Sequence, residues 1–202
     1  MIRTPTNETV WRVRLWNKDL GVAIIFGIAL LLGWWLMVRT ESRTRSFSDP
    51  DGGIQLVYPE GWIEVESLLD PLLKVENPAA GSPFKMSLSI ERRELDPASP
   101  PTLQTLLDRR VEERALLTGY HLLRDDTALL DGVPALLTEY AYVVQPIDEP
   151  RRAALPVVVL AREYIVIVGA QSYYITLATA EADEQQAQRP FAQIIASLEV
   201  QP

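Results

Sequence analysis

Asp51-Gly-Gly-Ile-Gln-Leu-Val-Tyr-Pro-Glu-Gly-Trp62 is the stretch that decides the fold of this chain. Ile54, Leu56 and Tyr58 alternate with Gln55 and Val57, the period of two expected of a strand that buries one face. Pro59-Glu60-Gly61 supplies a turn, and Trp62, directly after it, is a large core candidate. The stretch therefore predicts a strand and a corner at the start of a globular domain.

Downstream, strands are predicted at 72–75 and 84–92, the second with Met86, Leu88 and Ile90 on one face and Lys85, Ser87 and Ser89 on the other. Asp96-Pro-Ala-Ser-Pro-Pro-Thr102 reads as a loop in which Ser99 or Thr102 caps a helix. Leu103, Leu107, Val111 and Ala115 recur every four residues, which predicts a helix over 103–117 with Gly119 as its stop. Strands follow at 120–126, 128–130 and 133–144, with Asp131-Gly132 as a turn. A surface loop is expected over 146–152. Strands at 157–168 and 172–179 are joined at Gly169-Ala-Gln. The last helix runs over 183–198, with Pro190 as a kink or restart and Phe191, Ile194, Ile195 and Leu198 packed. Helices that bracket a run of strands predict an α+β fold, an α/β/α sandwich with a mainly antiparallel sheet.

Upstream, 39–48 is polar and charged and reads as a linker between the domain, 49–202, and a hydrophobic run at 20–38. That run, Leu20-Gly-Val-Ala-Ile-Ile-Phe-Gly-Ile-Ala-Leu-Leu-Leu-Gly-Trp-Trp-Leu-Met-Val38, carries no charge between Asp19 and Arg39. As a helix it spans about 28 Å, close to the roughly 30 Å hydrocarbon core of a bilayer. Trp11 and Trp16 on one side, and Trp34 and Trp35 near the other end, are placed as membrane-interface anchors. A single transmembrane helix after a basic tail, 1–19, is the expectation. The run exceeds a signal-peptide core, and Leu36-Met-Val-Arg39 offers no small-x-small cleavage site. Ala23 with Gly27, and Ala29 with Gly33, place small residues four apart, the spacing that lets a second membrane helix approach. Four basic residues precede the helix and three follow it, which favours a cytoplasmic tail and an extracytoplasmic domain. Asn7-Glu8-Thr9 matches a glycosylation sequon that such a tail would leave unread.

Composition narrows the function. The chain has 202 residues, no cysteine and one histidine. Disulfides, thiolate metal sites and cysteine nucleophiles are excluded. Beyond the residues that flank the hydrophobic run, 12 basic side chains stand against 24 acidic ones, a balance that disfavours nucleic acid. Neither a Gly-x-Ser-x-Gly elbow nor a phosphate-binding Gly-x-x-x-x-Gly-Lys is present. A serine triad would have to use His121, beside Tyr120 and Leu122 at a helix-to-strand junction, where a structural imidazole is expected. Asp49 and Asp51-Gly52 partly match a calcium loop, but the register puts Phe47 and Tyr58 at ligand positions. Glu112-Glu113 lies among Arg109, Arg110 and Arg114 and reads as a solvated helix face, and Asp125-Asp126 lacks a reason to be buried. No catalytic residue, cofactor or metal is therefore expected.

Asp51 to Trp62, Gly132-Val-Pro-Ala135 ahead of a strand, and Tyr174-Ile-Thr-Leu followed by Phe191-Ala-Gln-Ile-Ile-Ala-Ser-Leu together resemble the PsbP-like superfamily over about 47–200. The resemblance implies a compact α/β/α domain used for docking and no shared catalytic site. The superfamily includes extrinsic photosystem proteins, a binder of a small nuclear GTPase and envelope lipoproteins. This chain has a hydrophobic helix where the lipoproteins have a lipidation cysteine. The expected partners are thus the lipid bilayer and an integral membrane protein complex. The expected role is a non-catalytic accessory subunit on the extracytoplasmic face of a respiratory or photosynthetic assembly. The alternative is an envelope module that binds a small apolar or lipidic ligand between sheet and helix.

Overall fold

The computed structural model describes residues 17–41, 43–67, 71–145 and 155–201, and on the first helix the side chains of 21–35. The chain divides into two compact units at Ser42/Arg43. The expected loop over 146–152 lies outside the described residues.

The first unit contains helix α1 (Asn17–Glu41), 25 residues long. Fourteen of its fifteen described side-chain positions are exposed, and Gly27 is half-exposed. Among the described residues no helix is long and apolar enough to cross a membrane.

The second unit opens with a difference from expectation. Thr44–Ser48 is strand β1, paired antiparallel with β2 (Ile54–Pro59) from Thr44↔Pro59 to Ser48↔Gln55, and is no linker. A polar sequence reads as linker when its strand partner lies beyond the next turn. Here β1 is an exposed edge strand with Phe47 alone packed inward, so it carries no alternation to read. The closing β10 (Glu199–Val200) joins the other side of β2 and completes a three-stranded sheet.

The larger sheet is antiparallel throughout. It comprises β3 (Ile63–Glu64), β4 (Leu73–Glu76), β5 (Ser87–Glu94), β6 (His121–Leu130), β7 (Val133–Val144), β8 (Val157–Val168) and β9 (Gln171–Ala180), in spatial order β3-β4-β5-β9-β8-β7-β6. β6 is one continuous strand where sequence suggested two. The β6–β7 hairpin turns on Asp131 (φ 49°) and Gly132 (φ 80°), the paired left-handed conformation that a two-residue turn demands.

Central β9 separates two cores. Tyr173, Ile175 and Leu177 face one side, and Tyr174 faces the other, as successive strand residues must. On the Tyr174 side lies α2 (Leu103–Arg114), whose Leu106 and Leu107 pack on Ile165 and Tyr174. The Thr102 hydroxyl caps it, accepting from the Thr105 N–H at 3.2 Å. On the opposite side lie the three-stranded sheet and α3 (Glu184–Ala196), reached through a 3-10 turn at Glu181–Asp183. Phe191 and Ile194 of α3 join Leu56, Val75, Ile90 and Leu177, and Trp62 meets Phe191 edge-on at 6.4 Å. Pro190 sits inside α3 without a restart; burial of Ala187, Phe191 and Ile194 around it offsets the lost hydrogen bond. The sandwich is therefore α2 on sheet on α3, with the small sheet added to the α3 layer.

Candidate functional site

The α2 face of the sheet holds the chemistry. Glu163 lies mid-way along β8, its side chain on the same face as Ile165, and is 1% exposed. Arg110, one turn beyond Leu106 on α2, is 4% exposed and donates to Glu163 Oε1 from Nε (3.0 Å) and Nη2 (2.8 Å). It also grips Glu91 of β5 at 2.8 and 3.1 Å and Glu113 at 3.0 Å. Arg93 makes a two-pronged pair with Glu113 at 2.7 and 2.9 Å. Arg114 donates to Glu163 Oε1 at 2.9 Å, and the Thr176 hydroxyl does so at 2.7 Å. Three guanidinium groups thus face three carboxylates. Tyr174 lies beneath Arg110 and Arg93, with their guanidinium carbons 4.6 and 5.0 Å from its ring centre.

Burial raises the Glu163 carboxyl pKa, yet Arg110 and then Arg114 outweigh it and hold the group below the ordinary carboxylate range. Hydrogen bonding to Arg93, opposed by burial and helped by Arg110, holds Glu113 at about 2. The groups are mutually neutralised. Such a network locks α2 onto three strands, and it holds Glu113 and Glu163 away from the pH at which acid or base chemistry would use them. Glu112 is exposed, as a solvated helix face requires, and the correction concerns its neighbour: Glu113 lies in the α2 row that includes Arg110 and is tied to Arg93 of the sheet.

Past the C-terminal end of α2 the same face opens into a cleft of about 200 Å³, with Arg114, Leu117, Tyr140, Tyr142 and Phe84 among its walls. Ser87, Ser89, Thr176 and Ala178, paired across β5 and β9, also line it. Phe84 and Tyr142 meet edge-on at 6.5 Å, and Tyr140 and Tyr142 are 6.0 Å apart. Two atoms of the ion network are buried without a hydrogen-bond partner among the described residues: Arg114 Nε and Glu163 Oε2.

A second polar knot lies on the other face. Asp49, 3% exposed, accepts from the Tyr173 hydroxyl at 2.6 Å and from Arg92 at 2.8 Å, and Asp51 takes Arg92 at 2.6 Å. The two carboxylates nearest a calcium-loop pattern are thus tied to one arginine. Among the described residues no group of three His, Asp or Glu could hold a metal ion. His121 begins the exposed edge strand β6, and Asp126 on the same strand pairs with Arg124.

Of the residues singled out for the membrane, Trp34 and Trp35 are exposed on α1 at 67% and 52%. Ala23 and Gly27 line a shallow apolar groove with Val22, Phe26 and Leu30, while Ala29 and Gly33 lie elsewhere on the helix surface. Trp11 and Trp16 lie outside the described residues. The network residues were not anticipated from sequence. The available signal was Glu163 itself, a carboxylate within the apolar run Val157–Val168.

No family model matches the chain, and no curated protein matches it. Solved structures do. The cyanobacterial PsbP, CyanoP, of Synechocystis sp. PCC 6803 is similar at TM-score 0.57 and 18% identity, covering 78% of this chain and 92% of that one. LpqN of Mycobacterium tuberculosis, described as involved in cell envelope biogenesis, gives TM-score 0.57 and 13% identity over 79% and 91%. A Pseudomonas aeruginosa protein of unknown function gives 0.51 and 18% over 80% and 99%. The α+β fold of the second unit is PsbP-like.

Proposed function

We propose that this chain is a single-pass, non-catalytic accessory subunit: α1 anchors it in the bilayer with the tail cytoplasmic, and the PsbP-like unit docks on the extracytoplasmic face of a larger membrane complex, of the respiratory or photosynthetic electron-transfer kind. The observation that carries the reading is α1. From Gly21 to Trp35 every described side chain is apolar, and Val22, Ile25, Phe26, Leu30, Leu31 and Trp34 are each more than 60% exposed. Such a surface needs lipid or another protein around it. Support also comes from the domain, where the buried Arg110, Glu163 and Asp49 are each taken up by opposite charges. A tether raises the domain's effective concentration at a membrane partner, so a small docking surface suffices.

The test is gentle-detergent purification of the full chain from its native membrane, beside a variant lacking residues 1–42, which spares β1. Stoichiometric recovery of a multi-subunit complex with the full chain is expected, with weaker recovery for the truncated form. A lone monomer from both overturns the proposal.

A further inference from the structure

We infer that the cleft beside Arg114 binds a small, uncharged, planar ligand that carries a carbonyl oxygen. The inference is independent of docking, and it narrows the ligand-binding alternative by excluding lipids. At about 200 Å³ the cleft is below the roughly 300–1,000 Å³ of sites for drug-sized molecules and takes about one ring with a substituent, not an acyl chain. Its walls suit a ring. Phe84, Tyr140 and Tyr142 line it together, tilted or edge-on to one another, and a further ring can join such a cluster. Small residues make the space: Ser87 stands opposite Ala178 and Ser89 opposite Thr176, on a sheet face whose neighbouring positions carry Tyr140 and Tyr174.

Charge selects an uncharged occupant. The charged groups of the lining are Lys74 and Arg114 against Glu76 and Glu91. Lys74 pairs with Glu76 at 3.5 Å, and Arg114 with Glu163 at 2.9 Å. An anion would compete with carboxylates already seated, and a cation with the guanidinium. The lining includes the hydroxyls of Ser87, Ser89, Tyr140 and Tyr142, and a ligand carbonyl that accepts from one of them gains direction. Burial pushes the Tyr142 hydroxyl up to about 12 and Tyr140 higher still, which keeps both as neutral O–H groups able to donate.

The experiment uses the full chain in lipid nanodiscs, with empty nanodiscs as blank, and titrates benzamide and its charged isostere benzoate while following the Leu117 methyl signals by NMR. Saturable benzamide binding is expected, with ring-to-methyl contacts at Leu117, and with benzoate weaker by about tenfold or more, which is about 1.4 kcal/mol. Ala178→Leu and, separately, Ser89→Leu fill the cleft without removing any member of the ion network, and each should weaken benzamide about tenfold or more. No saturable binding at millimolar benzamide overturns the inference. So do equal affinities for both probes, unchanged affinity in a folded cleft-filling variant, or contacts that avoid Leu117. Should neither variant fold, the Leu117 contacts in the natural chain decide.

Discussion

Arg110 and Glu163, 53 positions apart in sequence, meet through two hydrogen bonds at 2.8 and 3.0 Å while 4% and 1% exposed. Removing one partner leaves the other buried and charged. Glu163→Gln, which takes from Arg114 its nearest carboxylate and leaves Arg110 only Glu91 and Glu113, is expected to destabilise the domain by about 3 kcal/mol in denaturant unfolding. The double replacement Arg110→Met with Glu163→Met should recover much of that loss, because it removes both desolvation costs. A double variant no better than the single would show that the network adds more than its mutual neutralisation.

Acid should unfold the domain in a defined window. Glu113 is held at about 2 and Glu163 below its ordinary value, so both bind protons less readily folded than unfolded. Their stabilisation is complete above the unfolded value near 4.5 and is lost as pH falls through the folded values. The melting temperature is expected to drop between about pH 4.5 and 2, and less steeply in Glu163→Gln. A melting temperature flat down to pH 2 contradicts this.

Gly53 cannot accept a side chain. Its φ is +109°, and a Cβ there would sit 2.3 Å from the Tyr173 hydroxyl oxygen that holds Asp49. Gly53→Ala should cost about 1–3 kcal/mol from backbone strain alone, and more from the clash. In a Tyr173→Phe background the 2.3 Å contact is gone while the ring carbon at 2.9 Å stays, so the cost of Gly53→Ala should fall in part. A double-mutant cycle measures the difference, and simple additivity would deny the contact.

Trp62 anchors the corner that opens the domain, 4% exposed and edge-on to Phe191. Trp62→Ala is expected to cost about 3–5 kcal/mol and to lower the urea midpoint without a change in slope. A loss below 1 kcal/mol would place the core elsewhere.

Two kinds of information divide this protein. Period and composition are local, so the strands at Ile54–Tyr58 and Met86–Ile90, the α2 helix with its Thr102 cap, the Asp131-Gly132 turn and the apolar run within α1 are all readable along the chain. Alternation survives because each of those elements buries one face. β1, β3 and β10 were not readable: they are edge or two-residue strands whose hydrogen bonds come from partners on other strands, and their own side chains show no pattern. The site was hidden for the same reason. On α2, Arg110 and Glu113 look like any charged helix pair until β8 brings Glu163 beneath them and β5 brings Glu91 alongside. Sequence alone determined that the domain would be α+β with one buried sheet, because hydrophobic period is written residue by residue. Which charges are buried, and where small residues leave a cleft, depended on the register of strands far apart in the chain, and only the tertiary structure decides that.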